Sequence, residues 1–169
     1  MFIQDSAQQI SNILLQGEAL YQNSVLLLQN RQYAEAYVLL AQALQENPED
    51  ASVLFNLGLC CLFAGKAEKA LEYLDSGLEK LKTSGLQQDP QADRETTLAL
   101  EAKEAQTDNY KQPMLSFEAE TFPKRCRDRF LRLIFDACAL TNNHVRAQQI
   151  ADALRGKNYK NITDAMGQL

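Results

Sequence analysis

The chain has 169 residues, 46% apolar and 23% charged, which excludes an ordinary disordered chain. It has no run of about 18 apolar residues, so no membrane span is expected. Leu (26) and Ala (21) dominate while Gly (7) and Pro (4) are scarce, a helix-forming composition of single-domain length. The net charge of −5 is uneven, with −5 over residues 83–122 and +6 over residues 123–160. Overall acidity weighs against non-specific nucleic-acid coating.

Met1 to Gln9 carries Asp5 and no Lys or Arg, so it does not read as a signal peptide. Residues 1–16 place Ala7, Ile10, Ile13 and Leu14 at helical spacing. They suit a helix that caps a stack of helices or lengthens the next one. Cys60, Cys61, Cys126 and Cys138 show no C-x-x-C spacing, and His144 alone completes no metal shell. The four read as reduced thiols of a cytoplasmic protein, used as small core residues.

Shifted by 34 positions, residues 17–50 align with residues 51–84. The matched pairs are Leu20/Leu54, Ala36/Ala70, Leu40/Leu74, Ala43/Gly77 and Leu44/Leu78. Such a period signals stacked helical hairpins. In the second unit Asp50 or Ser52 is the expected N-cap, and Pro48 stops the preceding helix. Leu54, Leu57, Cys61 and Ala64 mark one helix face; Gly65 makes the turn. Ala67, Ala70, Leu71, Leu74 and Leu78 mark the next face, where Ala70 and Gly77 allow close approach of backbones.

These units resemble the tetratricopeptide repeat, through Gly58, Gly65, Ala70, Ala36, Ala43, Pro48, Tyr33 and Leu40. The first unit departs with Ser24 at the place of Gly58 and Arg31 at the place of Gly65; Lys82 stands where the first unit has Pro48. The expected fold is all-α, with antiparallel hairpins stacked into a short right-handed solenoid.

Residues 85–123 form an acidic insertion. Residues 92–107 read as a faintly amphipathic helix. In residues 109–123, Leu115, Phe117 and Ala119 alternate with Ser116, Glu118 and Glu120 between Pro113 and Pro123. That pattern fits an extended segment with one apolar side, or a loop folded over the hairpins.

A degenerate third hairpin is expected over residues 124–161. Leu131, Ile134, Phe135 and Cys138 form one face, Asn142 and Asn143 the turn, and Ala147, Ile150, Ala151 and Leu154 the second face before Gly156. Aligning Ala147 with Ala36 and Ala70 places Cys138 at the position of Cys61. Residues 162–169 would cap the array.

No catalytic constellation is visible. There is no phosphate-cradling glycine motif, and His144 sits at an expected turn with no triad partner in view. The chain reads as a non-enzyme without cofactor or metal. The resemblance implies a concave groove lined by the first helix of each unit. Its partner-facing residues would be Tyr21, Val25, Leu28, Phe55, Asn56, Leu59, Leu62 and Phe63, flanked by Glu18 and Ser52, with Arg129, Arg132 and Asp136 from the third hairpin. The alternative is that its apolar members are covered by the N-terminal or inserted segment.

One subset of the family grips the C-terminal carboxylate of heat-shock chaperones with a Lys, Asn, Asn, Lys, Arg clamp. Here Asn56 matches and Arg132 supplies a comparable charge, but Tyr21, Val25 and Asp136 replace three members. Co-chaperone activity is therefore not expected.

Arg125, Arg129 and Arg132 form a basic stripe near a helix N-terminus, where the dipole disfavours cations. Anions should lie nearby, either Glu118, Glu120 and the acidic helix, or an acidic ligand; internal pairing is favoured. The expected function is a non-catalytic adaptor binding another protein or peptide segment. A small secretion chaperone is the alternative, and an enzyme or nucleic-acid binder a distant third. A membrane partner is not expected, and a homo-oligomer is compatible with the sequence.

Overall fold

A computed structural model describes the backbone of residues 2–83 and 94–167 and the side chains of residues 16–81 and 98–167. Helix α1 runs Phe2–Gln29, α2 Tyr33–Glu46, α3 Ala51–Phe63 and α4 Ala67–Thr83. After α5, Arg94–Ala105, come a 3-10 turn at Asn109–Lys111 and the short α6, Glu118–Thr121. The chain ends with α7, Pro123–Leu140, α8, His144–Ala153, and α9, Lys160–Met166. There is no strand among the described residues.

The stops and starts have local causes. Asp50 caps α3, its carboxylate accepting the N–H groups of Ser52 at 2.8 Å and Val53 at 3.3 Å. Pro123 opens α7 at a position where its missing N–H costs nothing. Asn143 caps α8 by accepting the Arg146 N–H at 3.3 Å. α1 continues without a break through residues 16 and 17, so residues 2–16 are part of the first helix.

Three hairpins, α1–α2, α3–α4 and α7–α8, share one turn geometry. Arg31, Gly65 and Asn142 all take left-handed backbone, with φ of 61°, 72° and 55°. In each turn the following N–H reaches back five residues: Gln32 to Leu27, Lys66 to Cys61, and Asn143 to Cys138. This is the bond that closes a helix whose C-terminal residue turns left-handed. The next helix then begins with Ala36, Ala70 and Ala147 donating to Gln32, Lys66 and Asn143 respectively. Ala147 thus occupies the place of Ala36 and Ala70, and Cys138 that of Cys61.

α2 packs on α3 and α4 on α7, so the insertion between α4 and α7 does not interrupt the stack. Small residues set the spacing. A Cβ on Gly58 would lie 2.6 Å from Leu74, which fixes how closely α3 approaches α4. Ala36 and Ala70 are fully buried. Asp75 of α4 forms a forked ion pair with Arg146 of α8, and the hydroxyls of Tyr37 and Tyr73 meet at 2.8 Å. Cys60, Cys61, Cys126 and Cys138 are buried and form no disulfide, and burial raises the Cys60 pKa to about 12.

α3 differs from the one-faced helix its spacing suggests. Residues 51–61 are all buried, while Ala64 is exposed. A helix apolar around most of its circumference is a central one. Here α2 and α4 cover one side, and α7 and the insertion cover the other.

Candidate functional site: a helical face covered by the insertion

The chain from Asn109 to Thr121 packs across the first helices, its 3-10 turn and α6 meeting α7 and its α6 meeting α3, while Met114 reaches Tyr21 of α1. Gln112 is extended, with ψ at 154°, the conformation imposed on a residue that precedes proline. Pro113 then delivers Met114 to this face, where it is 0% exposed.

Met114 is held by its backbone as well as by its fully buried side chain, which joins the hydrophobic core. The Asn56 side-chain amide donates to the Met114 carbonyl at 2.9 Å, and the Met114 N–H donates to Asn56 Oδ1 at 2.8 Å. The Tyr21 hydroxyl also donates to the Met114 carbonyl, and accepts from Asn56 Nδ2 at 2.9 Å. One residue further on, Ser52 Oγ donates to the Leu115 carbonyl at 3.3 Å. Burial holds the Tyr21 pKa well above its ordinary value, with Asp50 adding to the effect. The hydroxyl therefore stays a donor.

α7 supplies the charged wall. Arg129 pairs with Glu118 at 3.2 Å and donates to the Gln112 carbonyl. Its guanidinium lies 4.8 Å from the centre of the Phe55 ring. Burial lowers the Arg129 pKa, and the Glu118 carboxylate opposes that shift. Arg132 lies between the rings of Tyr110 and Tyr159, 3.8 and 4.6 Å from their centres. It donates to the carbonyls of Glu104 and Thr107 and to Asn161. Arg125, at the exposed end, pairs with Glu104. The stripe thus faces the insertion along its length. Asp136 accepts from the Tyr110 hydroxyl and, at 2.8 Å, from Asn161.

Tyr21, Val25, Leu28, Phe55, Asn56 and Leu59 are all buried, whereas Leu62 is half-buried and Phe63 is exposed beside Tyr33, the two rings stacked at 4.7 Å. Glu18 is exposed and Ser52 buried. The structure brings Tyr21, Ser52, Asn56, Phe55 and Arg129 together around the insertion. Leu62 and Phe63 make none of these polar contacts.

The alternation expected in residues 109–123 does not hold, because the segment is a 3-10 turn at Asn109–Lys111 and helix α6 at Glu118–Thr121 with only a short extended stretch between them. Leu115 and Phe117, the expected apolar side, are 39% and 55% exposed, while Met114 and Tyr110 are buried. The groove fixes the register through the Met114 backbone and the Arg129–Glu118 pair, and these outweigh the apolar pattern. Tyr110 and Met114 were not among the expected site residues. The signal for them is the polar pair Tyr21 and Asn56 on a core face, whose donors and acceptors require partners.

A family model for the tetratricopeptide repeat matches residues 27–93. Residues 27–93 belong to the tetratricopeptide repeat family. The match takes in the end of α1 and all of α2, α3 and α4. The α7–α8 hairpin lies beyond it, and turn geometry relates that hairpin to the others. A search of the curated proteins returns no match. Repeats of this family generally serve as non-catalytic scaffolds for protein–protein interaction. No described helix is long and apolar enough to cross a membrane.

Proposed function

We infer that this chain is a non-catalytic adaptor that holds an extended segment of another protein against the concave face of α1, α3 and α7. The observation that carries this reading is the pair of hydrogen bonds between the Asn56 side chain and the Met114 backbone. A side-chain amide that reads one residue's N–H and C=O grips main chain, and therefore suits an extended peptide of varied sequence. Phe55 and Arg129 beside it provide an apolar floor and a cation for side-chain selection. This reading treats the chain as one cytoplasmic domain whose four buried thiols are structural.

Site-specific photo-crosslinking in cells tests it. A crosslinker at Glu18, exposed on α1 one turn before Tyr21, should capture a protein partner. The same group at the exposed Val38 of α2 should not. Mass spectrometry of the crosslinked peptides identifies the segment. A partner captured only before it folds would instead mark the protein as a secretion chaperone. Capture from Val38 alone would place the binding surface elsewhere.

A further inference from the structure

We propose that the outer side of the insertion is a docking surface for a basic segment of another protein. Leu115 and Phe117 receive a bulky apolar side chain of that segment, and Glu18, Glu46, Asp50 and Glu120 receive the lysines or arginines around it. The surface goes beyond the groove reading and does not rest on it, since Asn56 and Met114 are wholly buried.

Leu115 and Phe117, 39% and 55% exposed, stand on a fixed backbone. The Leu115 N–H donates to Glu118 Oε2 at 2.7 Å, and the Glu118 N–H donates to the Leu115 carbonyl at 3.0 Å. Arg129 pairs with the same carboxylate at 3.2 Å, and Ser52 Oγ donates to the Leu115 carbonyl at 3.3 Å. Phe117 belongs to the first turn of α6, its carbonyl accepting the Thr121 N–H at 3.0 Å. Two large apolar side chains are thus presented to solvent by a segment that is already ordered, so binding through them costs little backbone entropy.

The charge beside them has one sign. Burial raises the Asp50 pKa, and the charges of Glu120 and Glu18 add to the rise, so these three carboxylates share one electrostatic neighbourhood next to Ser52 and Leu115. Glu46 extends it, because a Cβ on Gly17, the neighbour of Glu18, would meet the Glu46 carboxylate. Glu18, Glu46 and Glu120 are exposed, and among the described residues none of the three is in an ion pair. Glu118, by contrast, is neutralised by Arg129. Like charges held together in this way repel one another, and a ligand of opposite sign relieves that repulsion and is steered by it. The apolar side chain then supplies the buried anchor. An acidic segment would add to the repulsion instead.

The test measures binding of a fluorescein-labelled amphipathic peptide of Lys and Leu to the full-length protein, beside a counterpart with Glu in place of every Lys. The basic peptide should bind and the acidic one should not; equal binding of the two overturns the proposal. Leu115→Ser with Phe117→Ser should weaken binding at least about tenfold, as loss of apolar anchors does. Glu18→Gln, Glu46→Gln and Glu120→Gln together should weaken it at least about tenfold and flatten its dependence on salt. Glu35→Gln, Glu68→Gln and Glu79→Gln, at exposed positions elsewhere, control for net charge and should change affinity no more than about twofold. An equal loss in the control set, or no loss with Leu115→Ser and Phe117→Ser, overturns the proposal. Amide chemical shifts of the wild type give a reading that needs no variant. On titration they should move most over residues 115–120, and a maximum on another element overturns the proposal. Sedimentation of the protein alone should show no self-association through this surface. A dimer that is lost with Phe117→Ser would make the occupant a second copy and overturn the proposal as well.

Discussion

A Cβ placed on Gly77 of α4 would lie 2.6 Å from the Phe130 ring of α7 and 3.1 Å from Leu54 of α3. This glycine therefore sets both the spacing inside the second hairpin and the spacing to the third. Gly58 plays the corresponding part against Leu74. Gly58→Leu, Gly77→Leu, Ala36→Leu and Ala70→Leu should each destabilise the fold by about 1–3 kcal/mol through overpacking. Chemical denaturation reads this directly as a lowered midpoint. Unchanged midpoints across the set would contradict the register of the repeats.

Arg31 holds left-handed backbone where the second hairpin has Gly65. An L-residue with a Cβ pays about 1–2 kcal/mol for that conformation, and glycine avoids it. Arg31→Gly should raise stability by about 1 kcal/mol, after allowance for the greater freedom of glycine in the unfolded chain. Thermal and denaturant unfolding should both show the gain.

Asn56→Ala leaves the Met114 N–H without its partner in a buried site. A buried unsatisfied group costs about 1–3 kcal/mol, and the variant should lose stability in that range. The protection of residues 110–118 against hydrogen exchange should fall further than that of α4.

Alkaline pH should unfold the protein through its thiols. The buried Cys60 ionises near 12 when folded, whereas an exposed thiol ionises near 8.5. Its folded pKa is the raised one, so its contribution is complete below pH 8.5 and is lost as pH rises toward 12. Burial raises Cys61 and Cys138 in the same direction. Above about pH 9, Cys60 alone accounts for about 1.4 kcal/mol of lost stability per pH unit. Cys60→Ala should flatten the slope of stability against pH between pH 8.5 and 10.

The hairpins were legible because their determinants are local. Gly65, Pro48, Asp50 and the Asn142–Asn143 turn each act within a few residues, and Ala36, Ala70 and Ala147 repeat them in register. The filled groove was legible only in part. The sequence shows Arg125, Arg129 and Arg132 close to an acidic insertion, and internal carboxylates and carbonyls do meet them. It does not show which face of residues 109–121 turns inward. That choice depends on Asn56 holding Met114 from 58 positions away, and no local periodicity carries such a contact. Of the apolar alternation, Leu115 and Phe117 turn outward for this reason, while Ala119 packs against the core. The all-round burial of α3 has the same origin, since the insertion helps to cover its other side.

The central claim is that residues 109–121 occupy the groove in solution, and a double-mutant cycle on Arg129 and Glu118 tests it most directly. Arg129→Gln alone should cost about 2–3 kcal/mol, because it leaves the partly buried Glu118 carboxylate with only the Leu115 N–H. The exposed pair of Arg125 with Glu104 provides a control, and Arg125→Gln should cost no more than about 1 kcal/mol. With Glu118→Gln as the second single variant, the filled groove predicts a coupling energy above about 1 kcal/mol between Arg129 and Glu118. Additive losses, with coupling near zero, would contradict it and leave the helical face open.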